Sequence, residues 1–480
     1  MSGSDELDEA IALANWGRRK PDTRREGSTP EPRAHGESAG GEERRGHASA
    51  LDWPQARALA ARAAAPLPTV TLPLEDALGH TLAAPLTART DLPPFDTSAM
   101  DGWAVAGPGP WEPVAPPDDP GVLAGGTAEP PALTDGEAVR IATGARLPPG
   151  AGAVLRSERA ELDGTRLHSA AQPQPGTDVR PRGQECRTGD RLLADRHPVT
   201  PPVLGLAAAA GYDRVEVVRR PRVEVLVLGD ELLHRGLPAG GRIRDALGPM
   251  VGPWLGLLGA EVLVTRRLGD DAEALHEAVA ASTADLVVTT GGTAAGPADR
   301  LRPVLEQSGA RTLVDGVRVR PGHPMLLAAL DAPDAERPRH LVGLPGNPFA
   351  ALAALLTLAE PLLRTLSGRG PRSADSPEQS DLLDPFALTG VLAVGPGSAA
   401  APALRPASAP LAEDVPGRGE ETRLVPVRTE TPEVGVAAVR PVRFSGPAML
   451  RGIASASALA VVPPGGAAAG TVVELLGLPW

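Results

Sequence analysis

Ala284-Asp-Leu-Val-Val-Thr-Thr-Gly-Gly-Thr-Ala-Ala-Gly-Pro-Ala-Asp299 is the stretch that decides the fold. Asp285 to Thr290 is too short for a helix and β-branched enough for a buried strand. The strand empties into Gly291, Gly292 and Gly296, where the missing Cβ lets backbone N–H groups approach an anion closely. Asp299 closes the loop with a carboxylate. A tight strand-to-helix turn that needs φ > 0 accounts for the same glycines, so the loop by itself leaves ligand cradle and plain turn both open.

Working outward, Val223-Glu-Val-Leu-Val-Leu228, Glu261-Val-Leu-Val264 and His340-Leu-Val-Gly-Leu344 repeat the pattern of short apolar strands separated by helical stretches. Such alternation is the signature of stacked βαβ units and assigns residues 221–367 to a central α/β domain. Upstream, residues 1–48 are polar and mixed in charge, which predicts a disordered tail. Asp52, as N-cap before Pro54, and the spacing of Trp53, Ala56, Leu59, Ala60 and Ala63 predict a helix. Residues 85–180 are rich in proline and glycine with short apolar pieces such as Trp103 to Val105 and Ala138 to Ile141, the pattern of a small inserted β domain. It is bracketed by 49–84 and 181–220, read together as an N-terminal helical region in which Val203 to Ala210 is a helix ended by Gly211. Downstream, a polar linker over 368–384 leads to a second β domain over 385–480. The fold class is therefore multidomain α/β plus β.

Composition narrows the function. A chain of 480 residues with 42% hydrophobic content is long enough for two to four domains with ordinary cores. The net charge of −12 argues against a broad nucleic-acid surface, since duplex affinity rests on neutralising phosphates. Lys20 is the only lysine, so a functional cation in the folded part must be arginine or protonated histidine. No uninterrupted apolar run is long enough to span a bilayer, and Met1 to Lys20 lacks the pattern of a secretory signal. With the lone Cys186 unable to form an internal disulfide, a cytoplasmic protein with no membrane partner is expected.

Polar chemistry concentrates after the α/β strands. Gly229-Asp-Glu231 follows the first strand, Asp270-Asp271 the second, and Asp299 the glycine loop. Strand ends of an open α/β sheet converge on a crevice, where several carboxylates could share a divalent cation, magnesium being the natural one. Helix capping explains Asp270 and Asp271 equally well. Two proline-glycine turns, Arg320-Pro-Gly-His-Pro324 and Leu344-Pro-Gly-Asn-Pro348, complete the set; the second opens a helix and could offer N–H groups and the Asn347 amide to an anion.

The order of these motifs resembles the MoeA/gephyrin E-domain family of molybdopterin molybdenumtransferases over roughly residues 51–480. Asp91-Leu-Pro-Pro-Phe-Asp-Thr-Ser-Ala-Met-Asp-Gly-Trp-Ala-Val105 is close to that family's most specific signature, and Arg140-Ile-Ala-Thr-Gly144 is similar to a second. The resemblance implies a central MogA-like, three-layer α/β domain within an elongated four-part subunit. It also implies a homodimer whose active site lies between the α/β domain of one chain and the β domain of its partner. Adenylylated molybdopterin and molybdate would be the substrates, with magnesium as cofactor and AMP released. Other proteins of the same biosynthesis and apo-molybdoenzymes would be partners.

Carried over residue by residue, the resemblance implies catalytic roles for Asp101, Glu231, Asp270 and Asp299, with Glu231, Asp270 and Asp299 as metal ligands. Ser98, Thr143, Asp245, Gly291, Gly292, Thr293, Gly296, Pro321, Gly322 and Asn347 would bind substrate. Arg320, His323, Arg423 and Arg428 would attract molybdate. Departures cluster at the chemistry: the family usually has lysines at Arg320 and His323, a hydroxyl residue at Leu228 and a serine at Ala294. It also usually has asparagine at Leu247, aspartate at Glu185 and small hydroxyl residues near Arg451 and Gly452. A loop hydroxyl lost at Ala294 removes a donor worth about 0.5–1.5 kcal/mol, and a histidine with an ordinary pKa near 6.5 is a weaker fixed cation than lysine. A divergent molybdopterin-binding or scaffolding paralogue of weak activity is thus the alternative. A nucleotide hydrolase built on the α/β domain is disfavoured by the Asp91–Val105 signature.

Overall fold

The computed structural model describes residues 50–116, 119–126, 129–293, 300–330, 337–370, 408–430 and 437–478. Two compact units result, Pro68–Arg219 on one side and the rest of the chain on the other. The tail over 1–48 and most of the linker lie outside the described residues.

In the second unit we number the strands of 222–344 as β1 (Arg222–Leu228), β2 (Glu261–Leu268), β3 (Leu286–Thr290), β4 (Arg311–Asp315), β5 (Val317–Arg320), β6 (Leu326–Leu330) and β7 (Arg339–Leu344). Six of them form one sheet in the order β2-β1-β3-β7-β6-β4. The first four are parallel, and β6 and β4 continue antiparallel. Each parallel strand is a near-continuous Val/Leu run because both faces are covered. Leu226, Val287, Leu326 and Leu341 meet the helices Ala272–Ala281 and Leu301–Gln307 in one core. Val225, Val227, Val288 and Val342 alternate to the other face. Helices Gly248–Leu257 and Pro348–Leu366 pack against β1, β2 and β7.

Among the described residues Pro348–Leu366 is the one helix long and apolar enough to cross a bilayer, but 89% of that stretch is buried in the fold. It is a core helix, and it contains a π-helical turn at Leu355–Ala359. The π turn frees backbone groups that a buried polar network uses. Arg57 donates to the Leu356 carbonyl and lies 3.6 Å from Glu360, while Thr357 Oγ1 donates to Ala353 O and accepts from Trp53 Nε1.

That network corrects the expected N-terminal boundary. Residues 51–67 belong to the same unit as 220–478, not with 181–220, because the Trp53–Arg62 helix buries Trp53 and Arg57 against the Pro348–Leu366 helix. Asp52 does stand at the N-cap, yet its side chain makes no cap; its Oδ1 accepts from Arg318 Nε at 2.8 Å.

Only Gly316 separates β4 from β5, yet β5 leaves the α/β sheet for a seven-stranded sheet. There β5 pairs in parallel with Leu51–Asp52 on one side and Thr422–Glu430 on the other, and the C-terminal strands Ala438–Pro441, Ala458–Val462, Val472–Gly477 and Ser408–Pro410 complete the sheet. The alternating Val425, Val427, Ala460, Val462 and Leu475 fill its core.

The Pro68–Arg219 unit is built from short strands. Gly102–Val105 is central in a four-stranded sheet with Glu137–Ile141 and Ala153–Arg156 as neighbours. Trp103, Val105 and Trp111 pack on one side of it, Ala104, Val139 and Ile141 on the other. A second core gathers Leu82, Leu86 and Val203 of the Pro201–Ala209 helix. Cys186 is buried here, and that burial, with the Glu185, Asp190 and Asp91 carboxylates, pushes its thiol pKa up, so it is not a reactive thiolate.

Candidate functional site

Parallel pairing puts the C-terminal ends of β1, β2, β3 and β7 along one sheet edge, and the chain reverses direction across the sheet between β1 and β3. Crevices at such switch points are where open α/β sheets bind ligands. The described residues that follow these strands are 229–231, 269–271, 291–293 and 345–347.

In the described part of the glycine loop Gly291 has φ 81° and Gly292 φ 68°. Its amides are less available than the sequence suggested: Gly291 N–H donates to the Leu344 carbonyl at 2.8 Å, which ties this loop to the end of β7. A Cβ on Gly346 would lie 3.8 Å from Gly291 Cα, so the two ligand loops touch. Thr293 is buried and its carbonyl accepts from Arg302. Leu228 covers Gly292, where a Cβ would meet its Cδ1 at 3.6 Å, so this wall of the crevice is apolar. Gly296, Asp299 and Ala294 lie outside the described residues. Arg300, which sequence reasoning missed, stands beside Gly292 and has no partner among the described residues.

The carboxylates separate by role. Asp271 is spent as a helix cap, accepting from the Glu273 and Ala274 amides. Asp245 is buried, accepting from Gly248 N–H at 2.8 Å and from Arg267, so it fixes the start of a helix and is not open to a ligand. Glu231 and Asp270 are exposed and uncommitted among the described residues. Glu231 folds back over Gly229, where a Cβ would strike Oε2 at 2.5 Å, and Asp230 sits likewise over Gly269, with a Cβ there 2.6 Å from Oδ1. Among the described residues no three His, Cys, Asp or Glu side chains are grouped to hold a metal. The donor chemistry nevertheless fits magnesium, which takes one or two carboxylates and fills its other positions with water and phosphate oxygens.

Asn347 is exposed at the N-cap of the long helix, without a side-chain cap bond. The helix-start amides expected to face an anion are taken: Phe349 N–H and Ala350 N–H both donate to the Pro447 carbonyl, at 2.9 and 3.2 Å. Pro447 in turn lines a cleft of about 710 Å³ with Arg320, Pro321, Arg418 and Arg423. Pro447 thus stands between the helix start after Asn347 and that cleft.

Within the cleft β5 and the Thr422–Glu430 strand set Arg320 directly opposite Arg423. Arg423 Nη1 donates to Pro416 O, and Arg320 Nε donates to Glu421 Oε2 at 2.7 Å. His323 and Arg418 line an adjoining hollow that shares Arg320. His323 Nδ1 lies 2.8 Å from Val317 O. Pro321 and Gly322 are buried; Pro321 lines the cleft, and a Cβ on Gly322 would come within 3.2 Å of Ala350 O, so Gly322 packs against the helix. Arg418, another residue missed from the sequence, has no side-chain partner among the described residues. Arg428 is not here: five positions beyond Arg423 on one strand it faces the opposite way, donating to Ser455 O and lining a different cleft with Arg440, Arg443 and Arg451.

In the Pro68–Arg219 unit Asp101 Oδ1 accepts from both the Thr143 amide and the Thr143 hydroxyl. Those bonds, the amide first, lower its pKa, so the carboxylate is ionised at neutral pH. Its Oδ2 has no partner among the described residues and faces solvent. Ser98 is buried and donates to Met100 O, so it shapes the turn before Asp101.

An α/β sheet with glycine and carboxylate loops along one edge, beside a β sheet whose cleft carries Arg320, Arg418 and Arg423, is the architecture of a small-molecule binding protein. Models of the MoeA N-terminal region (domain I and II), the probable molybdopterin binding domain and the MoeA C-terminal region (domain IV) match residues 51–211, 224–365 and 408–478. A molybdopterin molybdenumtransferase of Staphylococcus aureus (strain COL) is 31% identical over 320 residues, 63% of this chain and 72% of the relative. That of Haemophilus influenzae is 34% identical over 311 residues, 63% of this chain and 75% of the relative. The crystal structure of a molybdopterin biosynthesis MoeA protein from Pyrococcus horikoshii shares the fold, with a TM-score of 0.64 at 24% identity, over 90% of this chain and 99% of the other. The chain belongs to the molybdopterin molybdenumtransferase family.

Proposed function

We propose that this chain inserts molybdate into adenylylated molybdopterin with release of AMP, with magnesium present. The observation that carries the reading is that Pro447, which meets the helix start after Asn347, also lines a cleft holding Arg320, Arg418 and Arg423. It lets one bound molecule offer its pterin or phosphate part to the α/β loops while an oxyanion lies among guanidiniums, whose planar forks suit tetrahedral oxyanions. Gly292 and Asn347 hold the pterin or phosphate part, and Arg300 adds positive charge there. Glu231 and Asp270, with Asp299, would hold magnesium, which when bound neutralises phosphate charge. Asp101, held ionised by Thr143, accepts from the attacking water and orients it on the phosphate.

The chain is further proposed to work in the cytoplasm as a homodimer, Asp101 of one copy serving the α/β loops of the other. Purified protein should release AMP from adenylylated molybdopterin in a molybdate-dependent way and reconstitute a molybdenum-free apoenzyme. Tight pterin binding without AMP release would instead identify a non-catalytic binding protein. Mixing inactive Asp101→Ala and Glu231→Ala chains under exchange conditions should restore activity; strict absence of rescue would dismantle the shared site.

A further inference from the structure

We propose that Glu421 is a built-in counter-anion of the arginine cleft, holding Arg320 until a doubly charged oxyanion displaces it, and so selecting dianions over monoanions. The inference rests on the reading that Arg320 takes the oxyanion. Arg320 Nε donates to Glu421 Oε2 at 2.7 Å, and the pair is asymmetric, the arginine side chain being 49% exposed and the glutamate 19%. The carboxylate thus lies on the inner side of the guanidinium, which keeps its outer edge in solvent. Glu421 is fixed from behind: its amide donates to the Arg418 carbonyl, closing the short hairpin that carries Arg418. The same turn therefore places one carboxylate on Arg320 and one unpaired guanidinium next to it. Arg423, opposite Arg320 in register, adds a third guanidinium, tied to the Pro416 carbonyl, while the cleft's other carboxylates, Glu413 and Asp414, are engaged by Arg440 and the Ala469 amide.

A half-exposed ion pair is weak, so its displacement costs little. The exchange is selective because of charge count. A monoanion that replaces Glu421 on Arg320 recovers one unit of charge for the one it removes. A tetrahedral dianion can keep Arg320 and engage Arg418 as well, with two bidentate-capable forks instead of one. Glu420 lines the same hollow and is exposed, without a partner among the described residues. It supplies the control, since it contributes the same charge without touching Arg320.

The test is equilibrium binding of molybdate and, separately, of perchlorate as a tetrahedral monoanion, to the full-length protein and to Glu421→Gln, Glu420→Gln, Arg320→Ala and the Arg320→Ala/Glu421→Gln double variant. Glutamine keeps the size and an accepting oxygen while removing the charge; unchanged thermal unfolding of each variant would show the fold intact. Glu421→Gln should bind molybdate about two- to fivefold tighter, gain proportionally more for perchlorate, and exceed Glu420→Gln in both. The gain should vanish when Arg320 is absent. An equal gain from Glu420→Gln, or a gain that persists without Arg320, would reduce the effect to general electrostatics and overturn the proposal while leaving the anion site intact. Molybdate binding unaffected by Arg320→Ala would overturn both the proposal and the reading beneath it.

Discussion

Asp101 Oδ1 accepts two hydrogen bonds from one residue, the Thr143 amide at 2.7 Å and the Thr143 hydroxyl at 3.0 Å. One oxygen is thereby fixed and the other left open, an arrangement suited to accepting from a water and unsuited to donating a proton. Asp101→Asn should lower kcat on the order of 10²-fold or more with pterin binding retained. Thr143→Val removes the hydroxyl bond, so the depressed Asp101 pKa should rise and the acid limb of the pH–rate profile should move to higher pH. A profile unchanged in Thr143→Val would separate Asp101 from the rate.

Asp91 opens the same signature and uses threonine in the same way, accepting from Thr188 N–H at 2.8 Å and Thr188 Oγ1 at 2.9 Å, with Arg182 added. These bonds, the Thr188 amide foremost, hold its carboxyl at about 2. The folded pKa lies below the unfolded value of 3.8, so its stabilisation is full above that value and is lost as pH falls toward 2. Asp91→Asn should accordingly destabilise the Pro68–Arg219 unit at pH 7, and by a smaller margin at pH 3. Urea unfolding at the two pH values reads the difference.

Arg57 and Glu360 are a buried ion pair, with side chains 1% and 3% exposed, and Arg57 also satisfies the Leu356 carbonyl of the π turn. Removing the arginine alone leaves a carboxylate in the core. Arg57→Met should cost about 3–5 kcal/mol, and Arg57→Met combined with Glu360→Leu distinctly less. Denaturant midpoints of the two variants check the order.

Gly417 lines the cleft beside Arg418. A Cβ there would collide with Pro464 O, because the hairpin leading to Arg418 nests against the turn at 463–466. Gly417→Ala should destabilise the C-terminal sheet by about 1–3 kcal/mol and weaken molybdate binding through displacement of Arg418. Calorimetric binding together with thermal unfolding tests both halves.

Local sequence was sufficient wherever a motif makes its own structure. The β-branched run before Gly291, the glycines with φ > 0 and Asp271 before a helical pattern each carry their outcome in adjacent residues, since strand alternation, left-handed backbone and capping are short-range effects. The order of such motifs also made the family legible, along with the α/β-plus-β architecture. What sequence could not weigh was competition for the same groups. The Gly291 and Phe349 amides look available until Leu344 and Pro447 supply carbonyls, and Asp245 looks like a ligand until Arg267 and Gly248 meet it.

Tertiary structure alone decided membership of the arginine cleft. Arg418 joins it, Arg428 leaves it, and Glu421 sits on Arg320 across 101 positions of chain. Strand parity turns Arg428 away from Arg423, and a hairpin closed by Glu421 brings Arg418 in. Sequence by itself determined the elements, their order and the kind of chemistry, because those depend on near neighbours and residue type. The pairing of charges was left to the fold, because Coulombic and hydrogen-bond energies depend on distances that only packing of remote segments sets.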